Sequence, residues 1–268
     1  MTSSVAAVWG HRGVLRLLVQ RDLAVKYQQS VLGYVWSLIE PLAMATIYWF
    51  IFGVLYDTEL PGGPPYPMFV LSAIFAWMWA NSAIGEATAA LTGQARLITV
   101  MNVPREVFPI GRVVARFAEY LAGLPILFGG AVIFGAPFGW YLVLCLPLAI
   151  VLQALLLIGL AMLLSAANVL LRDVERFMRL VQRVLFYAAP IIYPLSRVTK
   201  TDAIPDWVKL LYQANPLVGI MQLHHAAWYP SEFPGPWLLA TTTAGCLITL
   251  VTGWWVFRRL EPAVLKEL

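Results

Sequence analysis

The chain has 268 residues, of which 60% are hydrophobic and 12% are charged, and its formal net charge is +4. Because a soluble domain usually carries about twice that charged fraction, the composition excludes an ordinary soluble protein and predicts a bundle within the lipid bilayer. The basic residues lie beside apolar stretches and not in a run interleaved with aromatic residues, which argues against a nucleic-acid partner.

The first predicted element is an N-terminal helix. Residues Val8–Tyr27 have helical periodicity, with Arg12, Arg16 and Gln20 on one face. Because a membrane span follows directly, residues 1–30 are predicted to form an amphipathic interfacial helix on the cytoplasmic membrane surface, and a soluble surface helix is the alternative.

Three long stretches without Asp, Glu, Lys or Arg predict four membrane spans. They cover residues 60–85, 120–171 and 233–257. About 20 apolar residues cross the hydrocarbon core. The middle stretch of 52 residues therefore accommodates two helices, joined by a turn at Gly135–Gly139.

Two further predicted spans contain charged residues. One includes Glu40, which is followed by Pro41, and the other begins with Arg179 and Arg183, whose long side chains can reach the membrane interface. With these two, the sequence predicts an all-α membrane protein with six transmembrane helices, at residues 31–56, 67–90, 107–134, 140–170, 177–195 and 236–257.

The connection between the last two spans, residues 196–236, is unusually long. A loop of this length rarely lacks structure. Residues Ile204–Tyr212 and Pro216–Trp228 are predicted to be short helices, which either re-enter the membrane from the extracellular side or form an ordered cap over the bundle.

The orientation follows from the distribution of basic residues. In the six-span arrangement, fifteen of the eighteen Lys and Arg residues fall on one side. Loops rich in Lys and Arg stay in the cytoplasm, so both termini are predicted to be cytoplasmic.

The motifs of common enzyme sites do not occur in the sequence. None of the four lysines follows a glycine, so the GxxxxGK[ST] phosphate loop is missing and ATP hydrolysis by that route is excluded. His224 and His225 are adjacent and cannot share one helix face, while Cys145 and Cys246 lie in uncharged stretches. The sequence therefore predicts no metal site, no disulfide framework and no catalytic residue.

Charged residues within the predicted spans are functional candidates, because burying an unpaired charge in a membrane is costly. Arg112, Arg116 and Glu119 recur at helical spacing in the third span, and Arg116 can pair with Glu119 one turn later. Glu40 lies in the first span. These residues could form a proton relay, or a structural pair that faces a cavity or another subunit.

Several segments resemble the ABC-2 permease family, and most closely the branch that exports lipid-linked polysaccharides and teichoic acids. The sequence is also similar to actinobacterial members that export cell-wall galactan. The segments occur in the family's order over almost the whole chain: RDLAVKYQQSVLGYVWSLIEPL (21–42), LITVMNVPREVFP (97–109), SAANVLLRDV (165–174), APIIYP (189–194) and NPL (215–217).

The resemblance implies a homodimer in the bacterial inner membrane, with two copies of a separate cytoplasmic ABC ATPase. ATP and Mg would bind to that ATPase, and this chain would bind no cofactor of its own. The cargo would be a lipid-linked polysaccharide of O-antigen, teichoic acid or galactan type, surrounded by membrane lipids.

The resemblance also implies roles for individual residues. A coupling helix that docks into the ATPase corresponds to Leu97, Ile98, Met101, Asn102, Pro104, Arg105 and Glu106. The lipid head group would enter near Arg21, Lys26, Leu32 and Gly33. Aromatic residues of the first and fifth spans would line the channel, namely Tyr34, Trp36, Tyr48, Phe186, Tyr187 and Tyr193. Residues 196–236 would supply gating helices.

Three alternatives remain at the level of the sequence. The cargo could be a small lipid or a drug. The chain could be a membrane glycosyl or acyl transferase, for which Glu40 and Glu119 would supply the catalytic carboxylates. It could also be a structural membrane subunit that binds no ATPase.

Overall fold

The computed structural model describes residues 8–28, 32–57, 63–100 and 103–267, with the side chains of Tyr27 and Tyr34 left out. The regular structure of these ranges is helical throughout. In chain order the helices are α1 (Arg12–Tyr27), α2 (Trp36–Tyr48), α3 (Tyr66–Thr88), α4 (Ala95–Val100), α5 (Val107–Ile133), α6 (Trp140–Leu170), α7 (Val174–Ala188), α8 (Ser196–Thr199), α9 (Asp206–Ala214), α10 (Pro216–Ala226) and α11 (Pro236–Glu267).

Five helices of the described ranges are long and apolar enough to cross a membrane. They are α3, α5, α6, α11 and α2 together with its continuation, a π-helix over Trp49–Leu55. The all-α membrane fold predicted from the sequence is confirmed, and these five helices correspond to five of the six predicted spans.

The predicted fifth span, residues 177–195, is only partly helical. It corresponds to α7, whose 15 residues extend about 22 Å, less than the hydrocarbon thickness of about 30 Å. Residues 189–195 continue without regular structure around Pro190 and Pro194. The count of six spans therefore stays a prediction.

Two predicted boundaries differ from the structure. The first span was predicted from residue 31, which lies outside the described residues, but α2 begins only at Trp36. A 3-10 turn over Gly33–Val35 precedes it, and Gly33 has a φ of +48°, which favours glycine. The last helix was predicted to end at residue 257 but continues to Glu267, because its end packs on the protein through Val264, which is 2% exposed.

The second spanning helix, α3, is the centre of the bundle. Its side chains Met68, Phe69, Ala73 and Ile74 are completely buried. It packs against α2, α5, α6, α7 and α10. On the opposite side of α6, the long helix α11 approaches so closely that a Cβ on Gly253 would overlap the carbonyl oxygen of Gly159.

A second apolar cluster lies at one end of the bundle. It joins α1, α4, the start of α5 and the ends of α6 and α11, through residues that include Leu18, Ile98, Val107, Val169 and Val264. Fifteen Lys and Arg residues lie in or next to the elements of this cluster, within residues 12–26, 96–116, 172–183 and 258–266, so they share one end of the bundle. This end is called the basic end below.

The short helices lie at the opposite end, near their predicted positions. Every residue of α10 after Pro216 is buried, and the helix inserts between α3, α6 and α11. Helix α9 instead leaves Trp207, Leu210 and Leu211 exposed. Only α10 therefore has the position expected of a re-entrant helix.

Candidate functional site

An ion-pair cluster connects α1, α3 and α5 at the basic end. Arg116 of α5 is 1% exposed, and its Nε lies 3.1 Å from Oε2 of Glu86 in α3. The same guanidinium pairs with Glu119 one turn later, as the sequence predicted. Lys26 of α1 places its Nζ 3.1 Å from the Glu119 carboxylate.

A second pair extends this cluster along α5. Nη1 of Arg112 lies 3.2 Å from Oδ2 of Asp22 in α1 and 3.9 Å from Oε2 of Glu86. Asp22 is 7% exposed and also accepts a hydrogen bond from Arg21 at 3.1 Å. Because these carboxylates alternate with basic groups, the cluster fixes α1 on the bundle and contains no free carboxylate ladder of the kind a proton relay needs.

A basic cavity opens beside this cluster. Its volume is about 570 Å³, and α1, α3, α5 and the segment around α4 enclose it. Its basic lining residues are Arg21, Lys26, Arg96, Arg112 and Arg116, against the two carboxylates of Asp22 and Glu86. The excess of guanidinium groups suits an anion with several oxygen atoms, since these groups donate paired hydrogen bonds to phosphate or carboxylate.

An aromatic cavity lies between α2, α3 and α7. Its volume is about 480 Å³. Three residues predicted to line a channel are in its wall, namely Tyr48, Phe186 and Tyr187. Phe186 lies at ring-centroid distances of 5.5 Å from Tyr48 and 5.6 Å from Trp77.

The polar side of this aromatic cavity was not predicted as a site. Arg179, Gln182 and Arg183 line it from α7, and Asn81 lines it from α3. Gln182 donates a 2.5 Å hydrogen bond to the carbonyl oxygen of Asn81, which anchors α7 on α3. The spacing of Gln182 and Phe186, one helical turn apart in α7, was the sequence signal that could have identified this face.

The other predicted channel residues lie elsewhere. Trp36 lines a separate groove with Lys26 and Glu40 near the start of α2. The Tyr193 hydroxyl donates to the Tyr187 carbonyl oxygen at 2.7 Å, outside the aromatic cavity. Tyr34 is described only by its backbone.

Glu40 occupies a junction between the cavities. It lines both the aromatic cavity and the groove that contains Trp36. Among the residues that the structure describes, no basic group forms a salt bridge with it, whereas Glu119 is paired with Arg116 and Lys26. The two carboxylates considered for an enzyme both line a small pocket of about 40 Å³, where Glu119 is held by its basic partners.

The predicted coupling segment forms the short helix α4 and the chain that follows it. Ile98 and Glu106 are 3% and 1% exposed, which leaves them no surface for a partner, and Leu97 and Pro104 are partly buried. Met101 and Asn102 lie outside the described residues. The accessible residues are Arg96, Thr99 and Val100, of which Val100 is 81% exposed, and sequence analysis missed all three.

Arg105 and Glu106 both contact the last helix, and Glu106 is almost completely buried there. Nη2 of Arg258 lies 2.9 Å from Oε1 of Glu106, and Nη1 of Arg105 lies 3.8 Å from Oε1 of Glu261. Arg258 and Glu261 are themselves 3.4 Å apart. Because residues 105 and 258 are distant in the chain, no local pattern could have revealed this contact.

Buried polar contacts anchor α10. His225 is hydrogen-bonded to Ser72 of α3 at 2.8 Å and to the Pro190 carbonyl oxygen at 2.8 Å, and His224 pairs with Gln153 of α6 at 3.1 Å. Burial lowers the pKa of both imidazoles, so both are neutral at physiological pH. Each histidine has its own structural partner, and no group of metal-ligating side chains occurs in the part of the chain that the structure describes.

Comparisons with known proteins agree with these features. The model of the ABC-2 type transporter family matches residues 13–226. The chain is 27% identical to the O-antigen export system permease protein RfbA of Myxococcus xanthus over 87% of each chain. It is 27% identical to an RfbA of Klebsiella pneumoniae over 92% of each chain, and 24% identical to the polysialic acid transport protein KpsM of Escherichia coli over 93% of this chain and 94% of that protein.

Proposed function

We propose, from the premise that this chain belongs to the ABC-2 type transporter family, that it is the permease subunit of an ATP-driven exporter of lipid-linked polysaccharide. The observation that carries the proposal is similarity over about nine-tenths of both chains to permeases named for O-antigen and polysialic acid export. The family assignment makes the chain a multi-pass transporter subunit of the inner membrane and not an enzyme.

The aromatic cavity supports a sugar-containing cargo. Tyr48, Trp77, Phe186 and Tyr187 present flat rings that can stack on the apolar faces of sugars, and Arg179 and Arg183 supply polar contacts at the same wall. Binding sites of this kind combine aromatic walls with a few polar groups. A polymer can advance along such a surface because no single contact is tight.

The exposed faces of α2 and α7 support a homodimer. One subunit encloses only about 480 Å³ between these helices, which is too little for a polymer chain that must pass through the whole membrane. Large apolar side chains are exposed on the π-helix that continues α2 and on α7, including Phe50, Val54, Leu180 and Val184. A second copy facing these helices would complete a wider channel.

The lipid carrier would meet the protein at its basic end. The basic cavity supplies five Arg and Lys side chains, which suit the phosphate groups of a lipid-linked precursor. The chain turns into α2 at Gly33, beside the half-exposed Leu32, so the segment predicted to receive the head group lies at the start of this span. We place this end and both termini in the cytoplasm, following the distribution of basic residues.

The exporter requires an ABC ATPase as a separate chain, because this chain has no phosphate-binding loop. The exposed side of α4, with Arg96, Thr99 and Val100, is the surface proposed to dock into that ATPase. ATP and Mg would bind to the ATPase and not to this chain. ATP binding would shift the permease between closed and open states through this contact.

The first experiment depletes the gene in its host and measures lipid-linked polysaccharide on each side of the inner membrane. Accumulation of finished, lipid-linked polymer on the cytoplasmic side, with none at the surface, supports the exporter. Loss of polymer synthesis without accumulation indicates an enzyme or an assembly subunit and overturns the proposal.

The docking surface is tested separately with Val100→Asp. A charge at this exposed apolar position is expected to abolish co-purification of the ATPase while the permease still folds, and Leu171→Asp is the matched control, at 66% exposure beyond α6. Arg105→Glu is a poorer probe, because it also disrupts the contact with Glu261. Unchanged co-purification with Val100→Asp would remove α4 from the interface.

A further inference from the structure

The end of α11 holds the segment that follows α4 through charged contacts. Glu106 is 1% exposed and its Oε1 lies 2.9 Å from Nη2 of Arg258, while Arg105 and Glu261 approach to 3.8 Å. A buried carboxylate without its partner is strongly destabilising. These four residues are called the charged clamp below.

Apolar packing reinforces the charged clamp on both sides. Val264 and Phe257 of α11 are 2% and 1% exposed, and they belong to the same apolar cluster as Ile98 of α4 and Val107 of α5. The end of α11 therefore shares an apolar cluster with α4 and holds the segment after α4 through the charged clamp.

The same helix reaches the opposite end of the bundle. Helix α11 runs without interruption over 32 residues, or about 48 Å. Near its start, the Thr241 hydroxyl oxygen lies 3.2 Å from the carbonyl oxygen of Gln213 in α9. A Cβ on Gly219 of α10 would overlap the side chain of Thr242, so α10 and α11 are in direct contact.

We propose that α11 transmits the movement of the ATPase-coupled segment to α9 and α10, and that Glu106 and Arg258 are positioning residues that make α11 follow that segment. This inference rests on the proposed function, since it assumes that α4 docks into an ATPase. Helix α11 would then connect the docking surface on α4 with α9 and α10 at the opposite end of the bundle. Close packing at Gly159 and Gly253 then requires α6 and α11 to move together.

The test reverses the charges of the clamp first on the segment after α4, then on α11, and finally on both. The variants R105E/E106R and R258E/E261R each place like charges against one another, whereas the variant that combines all four changes restores every attraction with opposite polarity. In the full permease–ATPase complex in membranes, each half-reversal is expected to lower export at least about tenfold, because like-charge contacts are strongly unfavourable, while ATP hydrolysis continues. The complete reversal is expected to regain export.

A cross-linking variant covers the case in which a half-reversal fails to fold. R105C/E261C removes the more accessible pair of the charged clamp, whose side chains are 29% and 18% exposed. A short bifunctional maleimide re-establishes the connection, while native Cys145 and Cys246 are completely buried and protected from the reagent. Export is expected to fall in the variant and to recover after cross-linking. Cross-linking that blocks export, or half-reversals that export like the wild type, would overturn the proposal.

The two proposals fail in different ways. If the wild-type complex moves no polysaccharide in this assay, the proposed function is wrong. If the wild type exports and the complete reversal remains as defective as the halves, only the role of the charged clamp is wrong.

Discussion

The first two spanning helices have similar apolar character but opposite surroundings. Of the 18 most apolar consecutive residues of α3, 78% are buried within the subunit. In α2 and its continuation, the corresponding share is 11%. Lipid tails are as apolar as leucine, so hydrophobicity does not drive one span inward and leave another outside. The difference in burial arises from the packing of the helices, because five neighbouring helices enclose α3.

This difference in burial indicates a structural role for α3 and a role in transport for α2. The enclosed helix α3 anchors α10 through Ser72 and Phe69, which contact His225. The open helix α2 forms one wall of the aromatic cavity and becomes a π-helix over Trp49–Leu55. Irregular turns of this kind are frequent at functional sites, which agrees with a working role for the open side.

The comparison is tested most strongly by matched phenylalanine substitutions. Phe69→Ala in α3 removes a completely buried ring that stacks on His225 at 3.7 Å and is expected to cost about 3–5 kcal/mol. Phe50→Ala in the π-helix that continues α2 removes a ring that is 52% exposed in the subunit and is expected to cost the fold less than about 1 kcal/mol, because few contacts within the subunit are lost. Thermal unfolding in detergent and in lipid measures both, and equal losses would contradict the comparison.

A matched pair of arginines extends the test to charges. Arg116→Met leaves Glu86 and Glu119 without their buried partner and is expected to destabilise the protein by about 3 kcal/mol. Arg179→Met on the open side breaks a pair with Glu175 that is half-exposed and is expected to cost less than about 1 kcal/mol. Unfolding temperature and membrane yield are the measurements, and a stable Arg116→Met would mean that the cluster is not structural.

Substitutions on the exposed surfaces of α2 and α7 are expected to affect transport more than stability. Tyr187→Ala removes an aromatic ring from the cavity wall and is expected to lower export several-fold, about 1 kcal/mol in barrier, with an unchanged unfolding temperature. Phe177→Ala is the control, because Phe177 lies on the same helix with 63% exposure against 64% for Tyr187. Polysaccharide export by both variants is measured, and equal rates would remove Tyr187 from the path of the cargo.

The smallest effect is expected at the start of α10. The Asn215 side chain accepts a hydrogen bond from the Leu217 backbone N–H at 3.1 Å and caps the helix, so Asn215→Ala is expected to cost about 1 kcal/mol. Asp206→Ala, whose side chain is 99% exposed in α9, is the control. A loss with the control as large as that with Asn215→Ala would show that the cap is not the cause.

Most of the helices could be predicted from the sequence, because the length of an apolar stretch is a property of neighbouring residues in the chain. Uncharged stretches predicted α3, α5, α6 and α11, and the short helix predicted over Pro216–Trp228 corresponds to α10. Two predicted boundaries differ from the structure. The predicted span 177–195 is interrupted after Ala188, and the last helix outlasts its apolar stretch because Val264 packs on the protein.

The sequence by itself determined that the chain is a helical membrane protein of a transporter family, that its basic regions share one end, and that Arg116 can pair with Glu119. Only the tertiary structure decided which surfaces are available. It buried Glu106 against Arg258, left Val100 exposed, and enclosed α3 while α2 stayed open. The reason is that composition and helical periodicity act over a few residues, whereas burial in a uniformly apolar chain depends on contacts between helices distant in sequence.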